Sequence, residues 1–315
     1  MAESTTRFSM RSPRGSRPEG DPLPRYRSIV PDWQRFVEAC RRPLPTVVRT
    51  NTLRTEPDAL RDRLVHRGLD PEPVAWEPTL FTVSRPAGRT IEHWLGLLYA
   101  QEAVQLAPVL ALDPRPGEAV LDLCAAPGGK TTHLAARMGG VGPLVVNEPS
   151  GRRQPALLAN VNRLGVLNAT VTSYRGESFP QRATFDRILV DAPCSAEGTL
   201  RKESSLWNGA TPSTIQRLAR LQKRLIVRAF DLLTSRGSLV YSTCTLAPEE
   251  NEAVVAHLLA QRSARIASLS LPFSASEGLT TWNGDEFPDE LARCVRIYPH
   301  QIDSGGGFVA RIERE

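Results

Sequence analysis

The stretch Glu118-Ala-Val-Leu-Asp-Leu-Cys-Ala-Ala-Pro-Gly-Gly-Lys-Thr-Thr132 limits the possible fold more than any other part of the chain. An apolar run ends at Asp122, breaks at Pro127 and passes through Gly128 and Gly129 into a segment that reads as a helix from Lys130 to Arg137. This is how a parallel strand hands over to a helix at the carboxyl edge of a doubly wound sheet, where ligands sit in the crevice. Adjacent glycines lack Cβ and let the backbone approach a ligand closely. The helix start offers free N–H groups. A phosphate-binding loop needs G-x-x-x-x-G-K-[ST], and its first glycine would fall at Cys124; the dinucleotide fingerprint G-x-G-x-x-G is also absent. A turn set by packing alone stays open on this stretch by itself.

The rest of the chain repeats the same unit. Strands are expected at 119–123, 144–147, 169–172, 186–190 and 238–242, and helices at 130–138, 152–163, 212–233 and 248–261. Such β-α alternation with β-branched strands predicts a parallel sheet covered on both faces. Residues 294–298 and 307–312 are expected to pair across a glycine turn as an antiparallel addition at the sheet edge, and 274–290 reads as surface loop. Upstream, 31–40 reads as a capped amphipathic helix with Trp33, Phe36 and Val37 on one face. Residues 46–53 read as a strand, 56–67 as a helix closed by Gly68, and 73–84 as two short strands. Three segments follow: a loose tail over 1–24, a small mixed α/β module over 25–112 carrying Arg49 and Arg54, and a main domain over 113–315.

Charge and cysteine usage narrow the partners. A net charge of +5, a pI near 9.2 and basic residues that are mostly arginine favour an anionic partner, nucleic acid before membrane. No apolar run reaches membrane-spanning length, and the first residues lack the apolar core of a secretory signal. The five cysteines form no C-x-x-C pair, which argues against zinc, and their odd number argues for a reducing, cytoplasmic setting. No metal is expected, and a monomer is.

Four positions carry the chemistry. Glu148 directly follows the second main strand, where an acid commonly accepts hydrogen bonds from a ribose; it is equally placed to cap a helix. A glycine turn without a phosphate fingerprint suits a cofactor with a ribose and no pyrophosphate, such as S-adenosylmethionine. The fourth strand ends in Asp191-Ala-Pro-Cys-Ser-Ala-Glu-Gly198 and the fifth in Tyr241-Ser-Thr-Cys-Thr245, so Cys194 and Cys244 close neighbouring strands at one rim. Two thiols and an acid suit methylation at carbon-5 of a pyrimidine. A thiolate adding at carbon-6 makes carbon-5 nucleophilic, and an acid near N3 supports the charge that develops.

On Leu121–Thr131, Asp191–Gly198 and Tyr241–Leu246 the chain resembles the Nop/Sun-type RNA cytosine-5 methyltransferases, a family with bacterial 16S ribosomal RNA enzymes and related tRNA enzymes. Arg49-Thr-Asn-Thr-Leu53, Gln101-Glu102 and Gly306-Gly-Phe308 add support. The resemblance implies a Rossmann-like class I S-adenosylmethionine-dependent methyltransferase sheet with a small N-terminal α/β RNA-binding module. It implies that Cys244 is the nucleophile, that Cys194 helps release the product, and that Asp191 sits where cofactor and base meet. Cys124, Ala125, Ala126, Pro127, Gly128, Gly129 and Lys130 would line the cofactor, Glu148 would hold its ribose, and Lys130 would pair with Asp191. One position departs: many members carry Asp-Gly-x-x-Phe after the third strand, whereas here Arg175 stands at the Asp position and Glu177 lies two residues on. Either Glu177 substitutes, or backbone or solvent binds the adenine amine. The expected partner is structured RNA, ribosomal rather than transfer RNA. The alternatives are an inactive RNA-binding member of the fold and a methyltransferase for a non-RNA substrate.

Overall fold

The computed structural model describes residues 18–314. Residues 1–17 of the expected tail lie outside the described residues. The rest of that tail is not loose: Leu23 is fully buried and its N–H donates to the Trp207 carbonyl at 2.8 Å.

The N-terminal module contains helix α1 (Trp33–Arg41) and strand β1 (Val47–Thr50), then α2 (Pro57–His66), β2 (Glu72–Val74), β3 (Glu77–Thr82), α3 (Ile91–Trp94) and β4 (Leu98–Ala100). Its strands form an antiparallel sheet in the order β2-β3-β1-β4. Asp32 caps α1 by accepting from the Arg35 N–H at 3.2 Å, and Phe36, Ala39 and Cys40 turn inward.

The main domain begins with α4 (Ala107–Leu112) and alternates β5 (Val120–Asp122), α5 (Gly129–Arg137), β6 (Leu144–Asn147), α6 (Gln154–Leu164), β7 (Ala169–Thr172), β8 (Phe185–Asp191), α7 (Pro212–Asp231), β9 (Leu233–Thr243) and α8 (Glu252–Leu259). It closes with β10 (Ala264–Ile266), β11 (Ser276–Glu277), β12 (Thr281–Trp282), β13 (Asp285–Glu286), β14 (Val295–Ile297), α9 (Pro299–Ile302) and β15 (Gly307–Arg314). Strands β7-β6-β5-β8-β9 are parallel, and β15 joins β9 antiparallel, followed by β14 and β11. The chain therefore reverses direction of travel across the sheet between β5 and β8, the position where α/β sheets open a crevice. Apolar clusters fill both faces: Ile188, Ile226, Phe230 and Val254 on one, Val109, Leu134, Leu157 and Val240 on the other. Among the described residues no helix is long and apolar enough to cross a membrane.

One further sequence expectation needs correction. The 274–290 segment is not simply surface loop: β11 extends the main sheet, and the β12–β13 hairpin buries Trp282 in a stack on Tyr26. Strands of two residues leave no periodicity to detect. Arg49, in the N-terminal module, turns into the protein. It is almost fully buried and donates to Gln101 Oε1 at 2.5 Å, the Gly129 carbonyl at 2.9 Å and Thr132 Oγ1 at 2.9 Å. Asn51 Nδ2 and Arg54 Nε both donate to the Leu164 carbonyl at the end of α6. The Arg-Thr-Asn-Thr-Leu segment thus fastens the module to α5 and α6 by satisfying helix-terminal groups that packing would otherwise leave bare.

Candidate active site

The turn after β5 is held from three sides. Gly128 has φ +103°, a conformation in which a Cβ is strained. Gly129 needs its missing Cβ for a different reason: one built there would lie 3.0 Å from Cε1 of Tyr99, a ring supplied by the N-terminal module. Close packing between the two halves therefore claims part of the space that the sequence reading gave to a ligand. Thr131 Oγ1 donates to Asp122 Oδ2 at 2.7 Å, tying the first turn of α5 back to the strand. Burial pushes the Asp122 pKa up to about 7, against the opposing pull of that hydrogen bond, and Oδ1 stays buried without a donor. A cleft of about 480 Å³ opens here between the two modules, walled by Pro45, Tyr99, Glu102, Cys124, Lys130 and Asp191 among others.

Adjacency of β5 and β8 brings Lys130 and Asp191 together. Lys130 Nζ donates to Asp191 Oδ2 at 2.7 Å and also to Gln105 Oε1, while Ser242 Oγ donates to Asp191 Oδ1 at 3.0 Å. Burial works against the Lys130 charge, yet Asp191 and Cys244 more than restore it, so its pKa is raised.

The sulfurs of Cys194 and Cys244 lie 3.3 Å apart. The hydrogen bond from Cys194 lowers the Cys244 thiol, helped by the Lys130 ammonium and opposed by burial and by Asp191. That same hydrogen bond, together with burial, pushes Cys194 well up. Cys244 is thus the sulfur disposed to ionise, and Cys194 the one that keeps its proton.

A buried polar web sets the two loops in place. Glu197 accepts from Tyr26 Oη at 2.6 Å, Thr245 Oγ1 at 2.9 Å and the Ala210 N–H at 3.0 Å. Glu250 accepts from the Ser195 N–H at 3.1 Å and Gln222 Nε2 at 2.8 Å. Gly198 N–H donates to the Cys244 carbonyl, and a Cβ on Gly198 would sit 2.4 Å from the Gly306 oxygen. Glu250, Gln105, Gln222 and Ser242 escaped the sequence reading as site residues. Glu197 lay inside a quoted motif, but nothing in its spacing revealed a partner as remote as Tyr26.

Glu148 is almost fully buried at the end of β6. Its Oε1 accepts from the Ser150 N–H at 2.8 Å, whereas Oε2 makes no hydrogen bond, Arg153 lying 3.2 Å off but misaligned. The unused acceptors on Glu148 and Asp122, on neighbouring strand ends, fit a ligand that donates hydroxyl and amine hydrogens. Arg175 points to solvent and binds Glu177 Oε1 at 2.7 Å, so Glu177 is already engaged. Among the described residues no three His, Cys, Asp or Glu side chains group as a metal site.

The fold and this rim define a class I S-adenosylmethionine-type methyltransferase. Residues 109–313 match the family described as 16S rRNA methyltransferase RsmB/F, and 24–103 match the N-terminal domain of 16S rRNA methyltransferase RsmF. The chain belongs to this family of RNA cytosine-5 methyltransferases. It is 37% identical to the tRNA (cytosine(49)-C(5))-methyltransferase of Pyrococcus abyssi, over 91% of this chain and 94% of that one. It is 40% identical to ribosomal RNA small subunit methyltransferase F of Aliivibrio fischeri, over 89% of this chain and 60% of that longer one. A crystal structure of a methyltransferase homolog protein from Pyrococcus horikoshii superposes with a TM-score of 0.82 at 34% identity, covering 93% of this chain and 94% of the other.

Proposed function

We propose that this enzyme methylates carbon-5 of a cytosine in structured ribosomal RNA through a covalent bond between Cys244 and carbon-6, with S-adenosylmethionine as the methyl donor. The observation that carries the reading is the pair of sulfurs 3.3 Å apart beside the Lys130–Asp191 ion pair. Cys124 to Lys130 would hold the cofactor along the β5 turn, and Glu148 would accept from its ribose. When bound, it supplies an electrophilic methyl group.

Cys244 adds as thiolate to carbon-6, breaking the 5,6 double bond and pushing electron density toward N3, which takes a proton from the Lys130–Asp191 pair and returns it on release. Carbon-5 is then the nucleophile. After transfer, the carbon-5 proton must leave and the carbon–sulfur bond must break. Cys194, kept protonated at contact distance, donates its S–H to the departing Cys244 thiolate and takes up the carbon-5 proton in its place. The base must leave its stack to reach Cys244. The fit of both matched family descriptions to ribosomal RNA enzymes supports ribosomal over transfer RNA. A cytoplasmic monomer accords with this role.

Incubation with labelled S-adenosylmethionine and total RNA from a deletion strain is expected to yield 5-methylcytidine after nuclease digestion. A different methylated nucleoside, or none, overturns the reading. Bisulfite mapping of the deletion strain then separates ribosomal from transfer RNA.

A further inference from the structure

Of the three acids in the wall of the cleft, two are occupied. Asp122 accepts from Thr131, Asp191 accepts from Lys130 and Ser242, and the Glu102 carboxyl accepts no hydrogen bond within the described residues. Glu102 Oε2 is buried without a partner, and the nearest cation to Oε1, Lys202 Nζ, stands 3.9 Å away, too far for a hydrogen bond. Its amide neighbours hold cations through their oxygens, Gln101 Oε1 accepting from Arg49 and Gln105 Oε1 from Lys130, and neither amide nitrogen makes a hydrogen bond to Glu102. Gly305 keeps room for the carboxyl, since a Cβ there would lie 2.6 Å from Oε2.

Glu102 shares the cleft wall with Lys130 and Asp191. Its charge opposes ionisation of Cys244, and Lys202, Lys130 and Arg201 all act on it while burial raises its own pKa. A buried carboxyl without donors is costly unless a bound molecule supplies them. The molecule that enters this cleft carries such a donor. Cytosine presents an exocyclic amine where uracil presents a carbonyl oxygen.

We infer that Glu102 reads the exocyclic amine of the target base, accepting its N–H and rejecting uracil, whose O4 would face the carboxylate acceptor to acceptor. This rests on the cytosine-5 reading above. Asp191 and Lys130 then serve the N3 side, and Glu102 serves as the specificity residue. A site built around one substrate N–H discriminates strongly because the wrong partner leaves a buried group unpaired.

The test is Glu102→Gln, whose amide offers either an oxygen or an NH2 to the base. Transcripts of the mapped target segment, with cytosine or uridine at the methylated position, are compared by mass spectrometry of the digested nucleosides. The variant is expected to lose about tenfold or more in kcat/KM on the cytosine transcript, and its cytosine-to-uridine preference is expected to drop by about a hundredfold. S-adenosylmethionine affinity, measured by calorimetry, is expected to stay unchanged. A second readout needs no methylation. In a Cys244→Ala background without cofactor, binding of an RNA hairpin with one unpaired cytosine is compared with its uridine twin. Preference for cytosine is expected there, and adding Glu102→Gln is expected to remove it. An unchanged preference in both assays, or an equal loss on both bases, overturns the inference. A wild-type enzyme that puts no methyl on cytosine carbon-5 overturns the parent reading instead, and the hairpin comparison still judges Glu102.

Discussion

The turn after β8 and the turn after β9 deliver the same functional group to the same rim, yet they make chemically different thiols. Cys194 follows Pro193 in a loop stitched down by Glu250 and Gln222; Gln222 Nε2 donates to the Pro193 carbonyl and to Glu250 Oε2. Its hydrogen bond with Cys244, with burial added, pushes its pKa up. The Cys244 thiol comes down through its hydrogen bond with Cys194, with the Lys130 ammonium helping. Two unlike thiols thus arise from one residue type, because the hydrogen bond they share lowers Cys244 and raises Cys194, and the Lys130 ammonium adds to the lowering of Cys244. Environment, not identity, assigns the roles.

Four experiments would break or sharpen this comparison, taken from the largest effect to the smallest. Cys244→Ala should remove the nucleophile and lower methylation by about 10⁴-fold or more, read as 5-methylcytidine formed per enzyme. Cys194→Ala should leave addition intact and slow release, lowering kcat by about 10²-fold. The distinguishing sign is a protein–RNA adduct that survives denaturing electrophoresis with Cys194→Ala and is missing with Cys244→Ala. If both variants behaved alike, the two roles assigned here would be wrong.

Lys130→Met should cost about 10²-fold in kcat, and it should move the pH profile. Activity rises with pH as Cys244 ionises, and the midpoint lies below the ordinary thiol range because of Cys194 and Lys130. Without the ammonium the rising limb should shift to higher pH. An unshifted limb would show that Lys130 does not act on the sulfur.

The smallest expected effect is on stability. Burial holds the folded-state pKa of Asp122 at about 7, whereas the unfolded chain releases that proton near an ordinary aspartate value. Between about pH 4 and pH 7 the folded state keeps a proton that the unfolded state has lost, so stability falls as pH rises. Asp122→Asn should remove that slope and stabilise the protein by about 1–2 kcal/mol near pH 8, measured by urea unfolding on either side of the window. Equal slopes in the variant and the parent would locate the titration elsewhere.

Much of the main sheet was legible in the sequence. Strands β6 and β7 fall where expected to the residue, and α5 begins one residue early, at Gly129. Val-rich strands that are buried on both faces announce themselves, as do Gly-Gly breaks. Strand β9 starts at Leu233 rather than 238, because Thr234 to Gly237 is polar and glycine-containing and carries no strand signal of its own. Leu233 pairs with Phe185, and the ladder to β8 resumes at Ser238 after a register shift. The place of the N-terminal module's arginines was not legible for a related reason: an arginine bonding helix carbonyls and one facing solvent look identical in sequence.

The sequence by itself determined the order of strands and helices, the turns at their ends and the inventory of thiols, acids and the lysine at one rim. Each of these follows from local properties: side-chain periodicity, backbone freedom at glycine and proline, and residue chemistry. Only the tertiary structure decided which sulfur ionises, which acid is left without donors and which arginine is buried. Those properties depend on distances of a few ångströms between residues far apart in the chain, as with Lys130 and Asp191 or Glu197 and Tyr26. Electrostatic and hydrogen-bond energies change steeply over such distances, and no local pattern encodes them.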